Sequence, residues 1–187
     1  LNWGSANAKT VTLSFWVRSS LTGTFGGALY NNNGSRSYPF SYTISTANTW
    51  EQKTVTIAGD TSGTWEKTNS TGVSVGFGLG VGSTYSGTAG AWAGTYYGSA
   101  TGATSVVGTN GATFYITGVQ LEKGTQATAF DYRDFGRELT LCQRYFSTTY
   151  NTGVAVGAVA NAGGIIHVMD ATMSYGGLCW NLPTKMP

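Results

Sequence analysis

Few side chains in this sequence could carry out acid-base or nucleophilic chemistry. The 187 residues contain one histidine and two cysteines. His167 lies within an apolar run, residues 165–169, where an outward-facing strand residue is a simpler interpretation than a catalytic or metal-binding one. Cys142 and Cys179 are too few for a disulfide framework or a zinc site. We therefore expect two buried free thiols, with a bridge between them as the alternative.

Two glutamates are the residues whose surroundings best suggest an enzyme. Glu51 follows Trp50 and Glu66 follows Trp65, and a pair of carboxylates flanking a sugar is the usual catalytic equipment of glycosidases. Acidic residues beside aromatic strand ends are also common in proteins without activity. We therefore expect no enzyme, and hydrolysis of a polysaccharide stays the alternative.

The sequence predicts no cofactor. The glycines of GFGLGVG, residues 76–82, alternate with apolar residues at strand spacing, and neither a helix nor a Lys-Ser/Thr pair follows them. They therefore do not form a nucleotide-binding loop. Structural calcium is left open, because Glu122 and Asp131 flank the last strand of the first predicted domain and calcium prefers oxygen ligands. A solvated turn explains the same two residues without a metal.

Neutral polar and aromatic residues favour sugar binding. Sugar rings stack on Trp and Tyr, and sugar hydroxyls bond to Asn, Ser and Thr, so neither contact needs a charge. Residues 82–102 are rich in Gly, Ser and Thr and carry four aromatic residues. Tyr96 and Tyr97 are adjacent, so in a strand they point to opposite faces and at least one is exposed. The predicted glycan-binding residues are Tyr85, Trp92, Tyr96, Tyr97, Tyr30 and Asn32. The alternative for Trp92 and one tyrosine is a place in the core.

Composition limits both the fold and the partners. The chain has 28 glycines but only 10% charged residues, and such a balance disfavours helical folds. Hydrophobic residues, at 41%, are numerous enough to form a packed core. The formal charge of +2 comes without any cluster of Lys or Arg, so we expect no nucleic-acid partner. No apolar run approaches the roughly 20 residues of a membrane span.

Alternation of apolar and polar residues predicts about eight short strands. The clearest are residues 10–18, 49–57, 73–81 and 112–121, and further strands are predicted at 24–30, 38–44, 91–97 and 127–132. The alternation in residues 112–121 breaks at Thr117-Gly118, which indicates a β-bulge. No helical pattern intervenes. The predicted fold is all-β, an antiparallel jelly-roll β-sandwich.

One predicted strand has an unusual face. Gly76, Gly78 and Gly80 lie on one side of residues 73–81, and the other side is wholly apolar. A strand face without side chains lets another backbone, a large aromatic ring or a flat ligand approach closely.

The pattern changes to a helix at Asp134. Apolar residues follow at i, i+4, i+7 and i+11, which is one stripe of a helix, and Asp134 can cap its start. The stripe packs on its own chain or joins subunits. The predicted oligomer-interface residues are Phe135, Leu139, Cys142, Phe146, Arg137 and Glu138. We divide the chain into a sandwich at 1–133, a helix and linker at 134–147, and the start of a second, incomplete β unit at 148–187.

The segment FYITGVQLEKGTQATAFDYRDFGRELTLCQRYF, residues 114–146, resembles a junction found in bacteriophage tail-fibre and related virion proteins, where a strand closes a jelly-roll domain and leads into a helix. Residues 11–23 and 48–65 are similar to earlier strands of that domain, which itself resembles carbohydrate-binding modules. The resemblance implies a non-catalytic, extracellular virion module, usually a homotrimer, that contacts host cell-surface polysaccharide and other virion proteins. A carbohydrate-binding module of a secreted polysaccharide-degrading enzyme and a purely structural assembly module are the alternatives.

Overall fold

The computed structural model describes residues 1–143, and within them the chain is mainly β with one short α-helix. The strands are β1 (Val11–Ser19), β2 (Gly23–Tyr30), β3 (Ser37–Ile44), β4 (Glu51–Ile57), β5 (Ser74–Gly78), β6 (Ser86–Gly87), β7 (Ser99–Ala100) and β8 (Phe114–Lys123). A 3-10 turn spans Ser83–Tyr85, and the helix α1 spans Phe135–Gln143. The prediction of a mainly β fold is confirmed.

The first sheet has the strand order β4-β1-β8, and both pairings are antiparallel. Ser14 pairs with Gln120 and Trp16 pairs with Thr117, so two residues of β8, Gly118 and Val119, lie opposite Phe15, and β8 has one extra residue. Gly118 lies at this irregularity with φ of 59°, which is a left-handed conformation that favours glycine. The predicted bulge is confirmed.

The second sheet has the order β3-β2-β5 and is also antiparallel. Its inward residues share one core with the inward residues of β1. The ring centroid of Phe15 lies 5.0 Å from that of Tyr42 in β3 and 5.0 Å from that of Phe77 in β5. These edge-to-face contacts are a favourable arrangement of aromatic rings. The alternation predicted for residues 10–18 therefore places Phe15 in the core and leaves Trp16 exposed.

A third layer covers the outer face of the second sheet. Residues 83–105 carry β6 and β7, which form a small parallel pair, and Ser37 of β3 forms a bridge with Ala93. As predicted, other residues approach closely to the face of β5 that carries Gly76 and Gly78. A Cβ at Gly76 would lie 3.3 Å from the Tyr30 ring, and one at Gly78 would lie 2.5 Å from Ser99.

Two predicted strands are wrong, and a third is shorter than expected. Residues 91–97 form turns with a single bridge at Ala93, and residues 127–132 contain no strand. Residues 91–97 bond to β3 and residues 127–132 bond to β8, each at a sheet edge, but they do so through side chains and a single bridge instead of a backbone ladder. The strand predicted at residues 73–81 is β5, and it ends at Gly78 instead of residue 81. Gly80 has φ of 140°, so the backbone leaves the extended conformation there.

The first compact unit spans Leu1–Phe130, and a second begins at Asp131. Helix α1 belongs to the second unit and confirms the predicted helix start: the N–H of Arg137 donates to the Asp134 carboxylate at 3.1 Å. The predicted second β unit, 148–187, with His167 and Cys179, lies outside the described residues. Over residues 1–143 no helix combines the length and the apolar character needed to cross a membrane.

Candidate functional site

Three of the predicted glycan-binding tyrosines lie together on the surface. Tyr30 ends β2, Tyr85 ends the 3-10 turn, and Tyr96 lies in the loop before β7. The ring centroid of Tyr96 is 5.1 Å from that of Tyr30 and 6.0 Å from that of Tyr85, and both contacts are edge-on. Tyr85 is 52% exposed and Tyr96 is 38% exposed. We call these three residues the tyrosine cluster.

Two glycines, Gly34 and Gly98, leave the space that the Tyr96 side chain occupies in this cluster. A Cβ at Gly34 would lie 3.4 Å from the Tyr96 Cβ, and a Cβ at Gly98 would lie 3.2 Å from the Tyr96 hydroxyl. Partial burial, together with the charge and hydrogen bond of Tyr30, raises the pKa of Tyr96. The phenol therefore stays neutral and keeps its proton as a hydrogen-bond donor.

The loop between β2 and β3 borders the tyrosine cluster, and a buried amide shapes it. The Asn31 side chain donates to the Thr64 carbonyl and to Ser35 Oγ, both at 3.0 Å, and accepts from the Arg36 N–H at 3.0 Å. With Asn31 directed inward, Asn32 is left exposed. The predicted site residue Asn32 thus lies in the loop whose Gly34 touches Tyr96.

A cleft of about 400 Å³ lies next to the cluster, and sequence reasoning missed it. Its lining carries six hydroxyl side chains and no charge: Ser83, Ser86, Ser99, Thr101, Thr104 and Ser105, with Gly80, Val81, Gly82, Gly102 and Ala103. A Cβ at Gly98 would lie 3.5 Å from Val81 as well as 3.2 Å from the Tyr96 hydroxyl, so cleft and cluster adjoin. The excess of Ser and Thr in residues 82–105 is the signal that could have indicated it.

Trp92 lies elsewhere, in a group of rings that belongs to the core. Its ring centroid is 5.3 Å from that of Trp3 and 5.4 Å from that of Trp65, and its indole N–H donates to the Ala58 carbonyl at 2.8 Å. Tyr97 is half-buried over Gly87. The structure therefore packs Trp92 against the core, which is the place that the sequence left as an alternative, whereas Tyr97 is half-buried against Gly87 and does not belong to that core.

The two glutamates considered for catalysis are bonded to their own turns. Glu51 accepts from Lys53 at 2.6 Å and from two backbone N–H groups, and the Lys53 bond is the main reason that its pKa is lowered. Hydrogen bonds from Thr68 lower the pKa of Glu66. The acid of a glycosidase needs a raised pKa, and neither Glu51 nor Glu66 has one.

The carboxylates considered for calcium are likewise bonded within the protein. Glu122 accepts from the Thr128 N–H at 2.6 Å and from its hydroxyl at 2.7 Å, and Asp131 pairs with Arg133 at 3.0 Å. Residues 1–143 contain no group of three or more His, Cys, Asp or Glu side chains that could hold a metal ion.

The helix residues predicted for subunit contact are exposed where the structure describes them, except for Glu138, which is half-buried. Phe135 is 79% exposed, and Leu139 and Cys142 are exposed as well. The expectation that Cys142 is buried is wrong, because no residue of α1 is buried. Glu138 accepts from Arg133 at 3.1 Å, and the backbone N–H of Arg137 donates to the capping carboxylate of Asp134. Phe146 lies outside the described residues.

Comparisons with protein-family models, with curated proteins and with solved structures found no match to this chain.

Proposed function

We propose that this chain is a non-catalytic virion protein, part of a bacteriophage tail fibre or related appendage, that attaches the particle to host cell-surface glycans. The observation that carries the proposal is the exposed tyrosine cluster beside a cleft lined by hydroxyls and free of charged side chains. A neutral sugar can stack its C–H faces on such rings and exchange hydrogen bonds with the hydroxyls. This chemistry favours adhesion over catalysis.

The proposed architecture is a jelly-roll sandwich. Except for the hairpin β2–β3, the consecutive long strands alternate between the sheets β4-β1-β8 and β3-β2-β5. Alternation of strands between two packed antiparallel sheets is a feature of that fold, and the shared core of Phe15, Tyr42 and Phe77 supports it.

The proposed assembly is a homotrimer that also contacts other virion proteins. Exposed Phe135 and Leu139 on one helix support subunit contact through this stripe. Trimerisation would let weak single sites bind a cell surface with avidity. The same exposed stripe favours the purely structural assembly role as a second candidate, and it favours either virion role over a module of a secreted enzyme.

The test is a glycan array probed with the assembled protein and its Tyr85→Ala and Tyr96→Ala variants. We expect binding to neutral host-surface glycans that each variant weakens about tenfold or more, since each loses a ring contact. Tyr132→Ala is the matched control, because Tyr132 is an exposed tyrosine that belongs neither to the tyrosine cluster nor to the lining of the cleft. An array without any bound neutral glycan would contradict the adhesion proposal and leave the assembly role.

A further inference from the structure

One half of the outer face of the first sheet is covered by the chain itself. Residues 124–130 cross it: the Thr12 hydroxyl donates to the Gly124 carbonyl at 2.9 Å, and the Thr56 hydroxyl donates to the Thr125 carbonyl at 3.3 Å. The crossing ends at Phe130, where a Cβ on Gly118 would lie 3.8 Å from the ring. Thr12 is buried beneath it. We call the half beyond Phe130, which this crossing does not reach, the open half.

Aromatic rings stand on the open half. Trp16 of β1 is 41% exposed and Tyr115 of β8 is 49% exposed. In the β1–β8 register Trp16 pairs with Thr117 and Arg18 pairs with Tyr115, so the two aromatic residues are diagonal neighbours on one sheet face, close enough for a single ligand to touch both. Exposed Trp50 precedes Glu51, which pairs with Val17, and so borders the same end of the sheet.

Arg18 gives this surface an unpaired positive charge. Its guanidinium carbon lies 5.6 Å from the centroid of the Tyr115 ring, a cation–π distance. No acidic residue pairs with Arg18 anywhere in residues 1–143, and its Nε is buried without a hydrogen-bond partner. Arg36, by contrast, is held by Asp60. A planar guanidinium with free terminal amino groups is suited to a carboxylate.

The size of the open surface distinguishes a small ligand from a protein partner. The rings of Trp16, Trp50, Tyr115 and Phe130 are each exposed by about half or less. Together they offer about 400 Å², whereas a stable protein interface takes roughly 800 Å² from each partner. The aromatic part of this surface is therefore of the size that one small ligand covers, and the guanidinium beside it suits an anionic sugar.

We propose that Trp16, Arg18 and Tyr115 form a second binding site, which takes a carboxylate-bearing sugar of an acidic polysaccharide. The sugar ring stacks on Trp16 or Tyr115, and its carboxylate accepts hydrogen bonds from the terminal amino groups of Arg18. This site is separate from the uncharged tyrosine cluster and goes beyond the neutral-glycan adhesion proposed above.

The test is calorimetric titration of the full chain with trigalacturonate and with its methyl ester, which has the same rings but no charge. We expect the acid to bind about tenfold more tightly than the ester, because one charge-assisted contact to Arg18 is lost with the charge. Arg18→Gln should abolish this difference, and Arg18→Lys should restore part of it, because lysine keeps the charge but not the planar fork. Trp16→Ala should weaken both ligands.

Two controls separate this site from general electrostatics and from the tyrosine cluster. Lys67→Gln removes one positive charge elsewhere on the surface and should leave the preference for the acid unchanged. Tyr85→Ala should also leave it unchanged, even where that variant abolishes binding of neutral glycans. Circular dichroism establishes that each variant is folded.

Three results would overturn the proposal. Equal affinity for acid and ester would remove the role of Arg18, and so would a preference that survives Arg18→Gln in a folded variant. Self-association of the chain that Trp16→Ala disrupts would instead assign the open face to a second copy.

Discussion

Ser99 lies so close to Gly78 that a Cβ at position 78 would be 2.5 Å from both the Cβ and the Oγ of Ser99. The same hydroxyl lies against Gly26, which pairs with Gly78 across β2 and β5. Ser99 is 2% exposed and also lines the hydroxyl cleft. Gly26 and Gly78 therefore allow the layer that carries the candidate site to pack closely against the second sheet.

Gly78→Ala tests this packing. The added methyl group overlaps a short side chain that cannot swing away, and we expect a loss of about 1 to 3 kcal/mol in the free energy of unfolding, measured with urea. Gly94→Ala is the matched control, since its Cβ would meet only the Arg36 side chain at 3.8 Å. Adding Ser99→Gly to Gly78→Ala should recover part of the loss. Additive costs in this double variant would mean that Ser99 is not the obstacle.

Replacing Trp92 and replacing Tyr96 should have different consequences. Trp92→Ala opens the group of Trp3, Trp65 and Trp92, so we expect about 3 kcal/mol less stability and a loss of glycan binding that follows unfolding. Tyr96→Ala should lower glycan binding in a protein that stays folded. Thermal unfolding and glycan binding measured on the same samples separate the two. A Trp92→Ala protein of unchanged stability would return Trp92 to the list of direct contacts.

The ion pair of Arg36 and Asp60 should stabilise the loop that borders the tyrosine cluster. Arg36 donates to both carboxylate oxygens of Asp60 at 2.7 Å, and Asp60 is 1% exposed. Asp60→Asn leaves Arg36 without its anion, and we expect a loss of about 3 kcal/mol in urea unfolding. Lys53→Gln, which breaks the more exposed pair with Glu51, should cost clearly less, because water screens that pair. Equal losses would show that burial does not distinguish the two pairs.

Tyr42 should make the protein sensitive to alkaline pH. Burial raises the pKa of its phenol well above the ordinary value of 10.0, so the folded state binds this proton more tightly than the unfolded state. The resulting stability is complete below about pH 10 and is lost as pH rises through the folded-state pKa. Tyr42→Phe should therefore retain more stability than the wild type in unfolding experiments above pH 10.

At neutral pH the same variant tests the buried hydroxyl. Tyr42 Oη has no hydrogen-bond partner, so Tyr42→Phe should be neutral or gain about 1 kcal/mol. Tyr132→Phe, a change at an exposed position, should keep the alkaline decline of the wild type. A marked loss of stability in Tyr42→Phe at pH 7 would reveal a hydrogen bond to water or another group.

Neighbouring residues alone were sufficient to predict several elements. The alternation through Val11, Leu13 and Phe15 predicts β1 because strand period depends only on adjacent positions. The parity break at Gly118 predicts the bulge, and Asp134 predicts the start of α1, for the same reason. The row of glycines at 76–80 predicts that another part of the chain packs closely on β5, but it does not identify that part.

Tertiary structure decides which residues distant in the sequence contact each other. Trp92 and Tyr96 stand in one Gly-rich segment, and local pattern gives them the same role, yet Trp92 packs with Trp3 and Trp65 while Tyr96 meets Tyr30 and Tyr85 on the surface. Residues 91–97 were predicted as a strand because the local pattern does not show that their backbone meets the edge strand β3 only in the bridge between Ala93 and Ser37. The sequence by itself determined a β-rich, weakly charged chain, since composition and period are local properties. Folding decided which rings are exposed, since exposure depends on residues far apart in the sequence.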